Sequence, residues 1–140
     1  MKPRVVLDAN VLVPGFVSSG SASSRLIDLW RIGEIELIVS QHLLGEVERA
    51  YSDPYYARRV DAEHVLRILA LLRDEAIATP LTVPVSGVAT QSKDDLVLAT
   101  AISGGAEYLA TRDRQLLRLQ RYQGVAIVHP VDLLRLLDLE

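Results

Sequence analysis

Short runs of apolar residues alternate along the chain with longer stretches in which apolar positions recur every three or four residues. That alternation predicts strand-helix-strand units and hence a parallel sheet covered by helices. The first run, residues 4 to 7, leads to a small-residue loop, "SSGSASS", whose serines can cap a helix with Ser23, Leu26, Ile27 and Trp30 on one face. "IELIV", residues 35 to 39, is a second strand ending at Ser40. Ser40 then caps a helix that turns Leu43, Leu44, Val47 and Tyr51 inward and carries Glu46 on its flank, until Asp53-Pro54 breaks it. Residues 61 to 77 predict the strongest helix, with Val65, Ile68, Leu69, Leu72 and Ala76 in one stripe.

Further on, Pro80 and Pro84 reduce "LTVPV" to an edge strand at best. "QSKDDLVLATAISGG" predicts a buried helix capped by Ser92, with Asp94 and Asp95 in its first turn and Gly104-Gly105 at its stop. "EYLAT" is a fourth strand and "VAIV" a fifth. The closing helix, "PVDLLRLLDL", has Pro130 at its first position, where a missing N–H costs nothing.

The 140 residues suit a single domain spanning 1 to 140, long enough to bury one core without disulfides. Aromatic residues are 5% of the chain, so Leu, Val, Ile and Ala must build that core. The absence of cysteine excludes disulfides, zinc thiolates, iron-sulfur clusters and thiol catalysis, and suits a reducing cytoplasm. Too few apolar residues precede Asp8 for a signal-peptide core, and no run approaches the length of a membrane span, so a cytoplasmic protein without membrane contact is expected. A net charge of −3 argues against a surface that is basic throughout. Arg112, Arg114, Arg118 and Arg121 do cluster, which by itself reads as a solvated helix face.

The acids change the picture. A carboxylate at the margin of a core must be paired, metal-bound or neutralised. Asp8 ends the first strand, Asp113 lies just past the fourth, Glu46 sits in the helix after the second, and Asp94 opens the helix entered after the third. In an open parallel sheet, ligands bind beyond the carboxyl ends of the strands, the edge on which all four acids fall. Each alone has a plainer reading. Asp8 is equally a cap or a ligand, Asn10 a turn former, Glu46 a solvated helix residue, Asp94 and Asp95 first-turn acids favoured by the helix dipole, and Asp113 the cap of "RQLLRLQ". Together, beside three scattered histidines, they form an all-oxygen donor set suited to magnesium or manganese. Such ions, paired about 4 Å apart, serve phosphodiester hydrolysis. A rival chemistry is phosphoryl transfer through an aspartyl-phosphate at Asp8, which has no need of Glu46.

Four segments in order carry a family resemblance: "VVLDANVLV", "VSQHLLGEVERAYSDP", "KDDLVLATA" and "YLATRDRQLL". Each is weakly specific alone. In this order, and extended to the closing "VHPVDLLRLL", they make the chain similar to PIN domains, and among these to the VapC-type toxins of toxin-antitoxin systems. The resemblance implies a three-layer α/β/α sandwich around a mainly parallel sheet, an acidic pocket for Mg2+ or Mn2+, and metal-dependent endoribonuclease activity on RNA. It also implies a homodimer or higher homo-oligomer and an antitoxin protein partner. An apolar groove between the helices of residues 21 to 32 and 41 to 77 is the expected dock.

Carried over by position, Asp8, Glu46, Asp94 and Asp113 match the catalytic, metal-binding quartet, and Asn10 and Thr111 the polar residues that support it. Asp94 rather than Asp95 takes the third place, counted back from "ATA". Many members of the toxin-like subgroup open the third motif with an acid and a proline; Gln91-Ser92 stands there instead. Arg112 and Arg114, beside Asp113, are candidates for gripping RNA phosphates. A catalytically weak PIN binding module and a housekeeping RNA-processing nuclease are the alternatives.

Overall fold

Val5, Val6 and Leu7 are fully buried, and they form β1 (Arg4–Leu7), an inner strand of the sheet. Burial on both faces explains why the run is continuous rather than alternating. The computed structural model describes residues 1–137. After β1 come α1 (Ala9–Val17), α2 (Ala22–Arg31), β2 (Glu36–Val39), α3 (Gln41–Ser52), α4 (Pro54–Ala57), α5 (Ala62–Glu75) and β3 (Ile77–Ala78). The second half runs α6 (Ser92–Ser103), β4 (Tyr108–Ala110), α7 (Arg114–Leu117), β5 (Arg121–Tyr122), β6 (Val125–Val128) and α8 (Pro130–Leu137).

The sheet order is β3-β2-β1-β4-β6-β5, with every neighbouring pair parallel except β5 against β6. Helices flank the sheet, giving the expected three-layer α/β/α sandwich. From β1 the chain builds outward through β2 to β3, then returns through α6 to place β4 on the other side of β1. The strand order therefore reverses between β1 and β4, and the carboxyl ends of those two strands frame the crevice where such folds bind ligands.

Local chemistry sets most boundaries. Ser21, Ser40, Asp53 and Asp61 each accept a backbone N–H at a helix start, capping α2, α3, α4 and α5. Pro130 stands at the first position of α8, whose last two expected residues, Asp138 and Leu139, lie outside the described residues.

Several expectations are corrected. Residues 9 to 17 form α1, where the sequence suggested only a passage to the serine loop. Pro14 and the β-branched valines disfavour a helix locally, but burial of Val11, Leu12 and Val13 overrides propensity. α1 packs against both α2 and α3. The helix expected to run to residue 77 stops at Glu75, because Ile77–Ala78 pairs with β2 as the edge strand. "LTVPV" is not a strand: the amides of Thr82 and Val83 bond to Ser103 Oγ instead. Ser92 does not cap α6; Gln91 occupies that position and its side chain makes no capping bond. The short β5 completes the far edge as an antiparallel addition.

Candidate active site

Parallel pairing of β1 with β4 sets Leu7 opposite Ala110, so the next residues, Asp8 and Thr111, meet at the carboxyl ends of the two strands. Thr111 Oγ1 donates to Asp8 Oδ2 at 2.8 Å. Asp8 Oδ1 accepts from the Ala9 amide at 2.8 Å, which makes Asp8 the cap of α1 as well. The cap reading of this residue therefore holds, and a carboxylate has acceptor sites to spare beyond it.

Thr111 is a hub. Having spent its hydrogen on Asp8, its oxygen accepts from the Asp113 amide at 3.1 Å and from Asn10 Nδ2 at 3.3 Å. Asn10 Oδ1 in turn accepts from the Arg112 amide at 3.1 Å, tying the start of α1 to the loop after β4. Asp113 Oδ1 caps α7 by accepting from Gln115 N at 2.8 Å. The two supporting residues thus hold the acids that flank the reversal point of the sheet.

Asp94 occupies the first turn of α6 and Glu46 the middle of α3. All four acids line one cleft of about 540 Å³, together with Asn10, and Arg49, Lys93, Asp53 and Tyr56 stand on its walls. Glu46 is held to one side, with Oε2 at 3.2 Å from Arg49 and Oε1 at 3.6 Å from His42. His42 Nε2 also lies 3.1 Å from the Lys93 carbonyl, linking α3 to the mouth of α6.

The electrostatics of the cleft record the crowding. Burial raises the pKa of Asp8, with repulsion from Glu46 and Asp113 adding to it, while the Thr111 hydroxyl and the Ala9 amide oppose the rise. Asp94 is pushed up to about 6, by burial first and then by Asp113 and Asp8; the Lys93 ammonium partly offsets this. Asp94 exposes little area but has fewer atoms packed around it than Asp8 does. Among the described residues, no three acidic or histidine side chains close on an ion-sized point. The carboxylates stand around the cleft, mutually repelled. A hard cation is the charge that relieves such repulsion, and the donor set is all oxygen, so these residues fit a divalent ion by their chemistry.

Other sequence candidates fall elsewhere. Arg112 turns its guanidinium to Ser23 Oγ at 2.9 Å, and Arg114 is exposed on α7; the cations lining the cleft are Arg49 and Lys93. Their sequence signal was adjacency: Arg49 follows Glu46 by three helical positions and Lys93 precedes Asp94. Tyr56 had no signal in the sequence. Asp95, the neighbour set aside in favour of Asp94, has a structural task. Its carboxylate accepts from the amides of Gly87, Val88 and Ala89 at 3.0, 3.1 and 2.6 Å, pinning the loop before α6.

A doubly wound sheet with an acidic cleft at its switch point defines the class of the protein, and the comparisons agree. The PIN domain family model matches residues 4–115, and the chain belongs to that family. Its fold is similar to that of VapBC2 from Rickettsia felis, solved bound to a DNA fragment from their promoter, at a TM-score of 0.61 and 14% identity over 89% of this chain and 96% of that one. Mycobacterium tuberculosis VapC20, a sarcin-ricin loop cleaving toxin, aligns at a TM-score of 0.56 and 15% identity over 87% of this chain and 98% of that one. PAE2754 from Pyrobaculum aerophilum aligns at 0.56 and 21% identity over 96% and 89%. At these identities the likeness is one of fold. No curated protein matches the chain significantly.

Proposed function

We propose that the protein is a Mg2+- or Mn2+-dependent endoribonuclease and the toxin component of a toxin-antitoxin pair. The observation that carries this reading is the convergence of Asp8, Glu46, Asp94 and Asp113, from four separate elements, on one cleft at the reversal point of a PIN-domain sheet. These four would hold one or two divalent ions, which when bound lower the pKa of water and stabilise charge on a phosphodiester.

The chain's own residues do the rest. Thr111 fixes the orientation of Asp8 and, through the Asp113 amide, the start of the loop that carries the fourth acid. Lys93 and Arg49 attract the phosphate into a cleft whose floor would otherwise repel it. Because the acids lie inside a cleft, single-stranded or looped RNA reaches them where a duplex backbone does not. Attack of water on phosphorus with cleavage of the P–O3′ bond, the departing 3′ oxygen taking up a proton, leaves 5′-phosphate and 3′-hydroxyl ends.

The toxin assignment draws on the two VapC-containing structures of similar fold. It brings with it an antitoxin protein partner, a homodimer or higher homo-oligomer, and action in the cytoplasm. Among the described residues no helix is long and apolar enough to cross a membrane. A housekeeping nuclease would use the same cleft without the partner.

Cleavage of structured RNAs in manganese by the natural protein and by Asp94→Asn tests the reading. The natural protein should cut and fall silent in EDTA, and the variant should lose at least about a hundredfold in rate. Equal cleavage in EDTA, or full activity in Asp8→Ala, would overturn it.

A further inference from the structure

We propose that α4 carries a base-stacking subsite, in which the Tyr55–Arg59 pair holds an unpaired nucleobase of the RNA strand whose phosphate enters the acidic cleft. The inference rests on the ribonuclease reading above and names how the same site takes hold of its substrate.

Three of the five tyrosines of the chain form one edge-to-face row leading out of the cleft. Tyr51 is buried and donates its hydroxyl to the Val13 carbonyl at 2.7 Å, anchoring the row to α1. Tyr56 meets it with ring centroids 5.6 Å apart and lines the cleft beside Asp53. Tyr55 follows at 4.9 Å from Tyr56 and is 55% exposed. Over the Tyr55 ring lies the Arg59 guanidinium, 3.8 Å from the centroid, and Arg59 Nη1 donates to the Tyr55 carbonyl at 2.6 Å.

An exposed aromatic ring with a flat cation fixed over it is a stack that lacks its next layer. Bases add to aromatic rings and to guanidinium planes alike. Because Nη1 is already spent on the Tyr55 carbonyl, Arg59 presents its plane more readily than the two-pronged edge that a carboxylate would grip. That favours a base over an acidic peptide. Arg59 over Tyr55 and Arg49 on the cleft wall with Tyr56 bring positive charge to the row, beside the single acid Asp53, which suits the phosphates on either side of that base. The middle ring of the row, Tyr56, lines the cleft that holds the four acids, so one strand can engage both.

Tyr55→Ala and Arg59→Ala test the proposal, since both side chains are at the surface and neither belongs to the acidic cluster. Cleavage of a short single-stranded RNA should show KM raised about tenfold, the effect of losing one base stack, with kcat within about twofold of the natural protein. In an Asp94→Asn background, RNA carrying 2-aminopurine beside the cleavage point should be quenched on binding; Tyr55→Ala should abolish the quench and Tyr55→Trp restore it. Unchanged KM and quench in Tyr55→Ala would overturn the subsite while leaving the nuclease reading intact. Quenching through Tyr55 by a protein that cuts no RNA would do the reverse. Loss of a protein partner by Tyr55→Ala, with RNA binding unaltered, would make the row a protein interface and refute the proposal.

Discussion

Thr111 Oγ1 and Asp8 Oδ2 are joined by a 2.8 Å hydrogen bond between residues 103 positions apart, across the ends of two neighbouring strands. The bond places the only hydrogen of the hydroxyl on a buried acid of the cleft, and leaves the oxygen free to accept from Asp113 and Asn10. One small side chain therefore orients two candidate ligands.

Thr111→Val keeps the shape and deletes that link. Partners that orient metal ligands contribute about 10- to 100-fold in affinity, so Mn2+ binding by calorimetry should weaken by at least about tenfold. Leaving a buried acceptor without its donor should also lower unfolding stability by about 1–3 kcal/mol in urea. An unaltered Mn2+ affinity would show that Asp8 needs no such support.

The acidic cleft makes a prediction about pH. The folded chain holds a proton on Asp94 up to about 6, while the unfolded chain releases it near 3.8. Between those values the native state binds more protons, so stability falls as pH rises from about 4 to about 6, and the full cost is present above. In metal-free protein, Asp94→Asn should therefore melt higher than the natural chain at pH 8, with the gap closing toward pH 4. A gap independent of pH would contradict the raised pKa.

Adjacent acids should fail in different ways. The carboxylate of Asp95 takes three amides of the loop before α6, whereas Asp94 lines the cleft. Asp95→Ala should cost about 1–3 kcal/mol in denaturant unfolding, because three part-buried amides lose the buried carboxylate that accepts from them. Asp94→Asn should remove RNA cleavage from a protein that stays folded. Equal loss of stability in both variants would erase the distinction.

Gly15 is the contact point of α1 with α2. A Cβ there would lie 2.5 Å from Ile27 Cδ1 and 3.0 Å from the Ser23 carbonyl oxygen. Gly15→Ala should destabilise the protein by about 1–3 kcal/mol of overpacking, outweighing the gain in helix propensity. Adding Ile27→Val removes the clashing methyl, so the double variant should be more stable than the sum of the two single effects, as a double-mutant cycle would show. Strict additivity would mean that the helices do not approach as closely as they do here.

Much of the architecture was legible in the chain, for a definite reason. A fully apolar run such as Val5 to Leu7 suits a strand buried on both faces, Ser40 and Asp61 mark helix starts by local hydrogen bonding, and Gly105, at φ +68, marks the end of α6 by backbone freedom. The reading broke where a distant partner outweighed local preference. "ANVLVPGFV" is a poor helix by composition and becomes α1 because the core takes Val11, Leu12 and Val13. Ile77–Ala78 looks like the end of a helix and becomes a strand because β2 offers it an edge.

The acids divide along the same line. Their positions after strands and at helix starts are local facts, open to inspection in the order of residues. Whether they share a cleft depends on strand order, and the reversal between β1 and β4 is what brings Asp8 beside Thr111 and Asp113. Tyr56, Lys93 and Arg49 on the cleft walls, and Asp95 bound to the loop instead of facing the cleft chemistry, follow from that packing. A periodic pattern reports which face of an element is buried; it carries no record of which other element buries it.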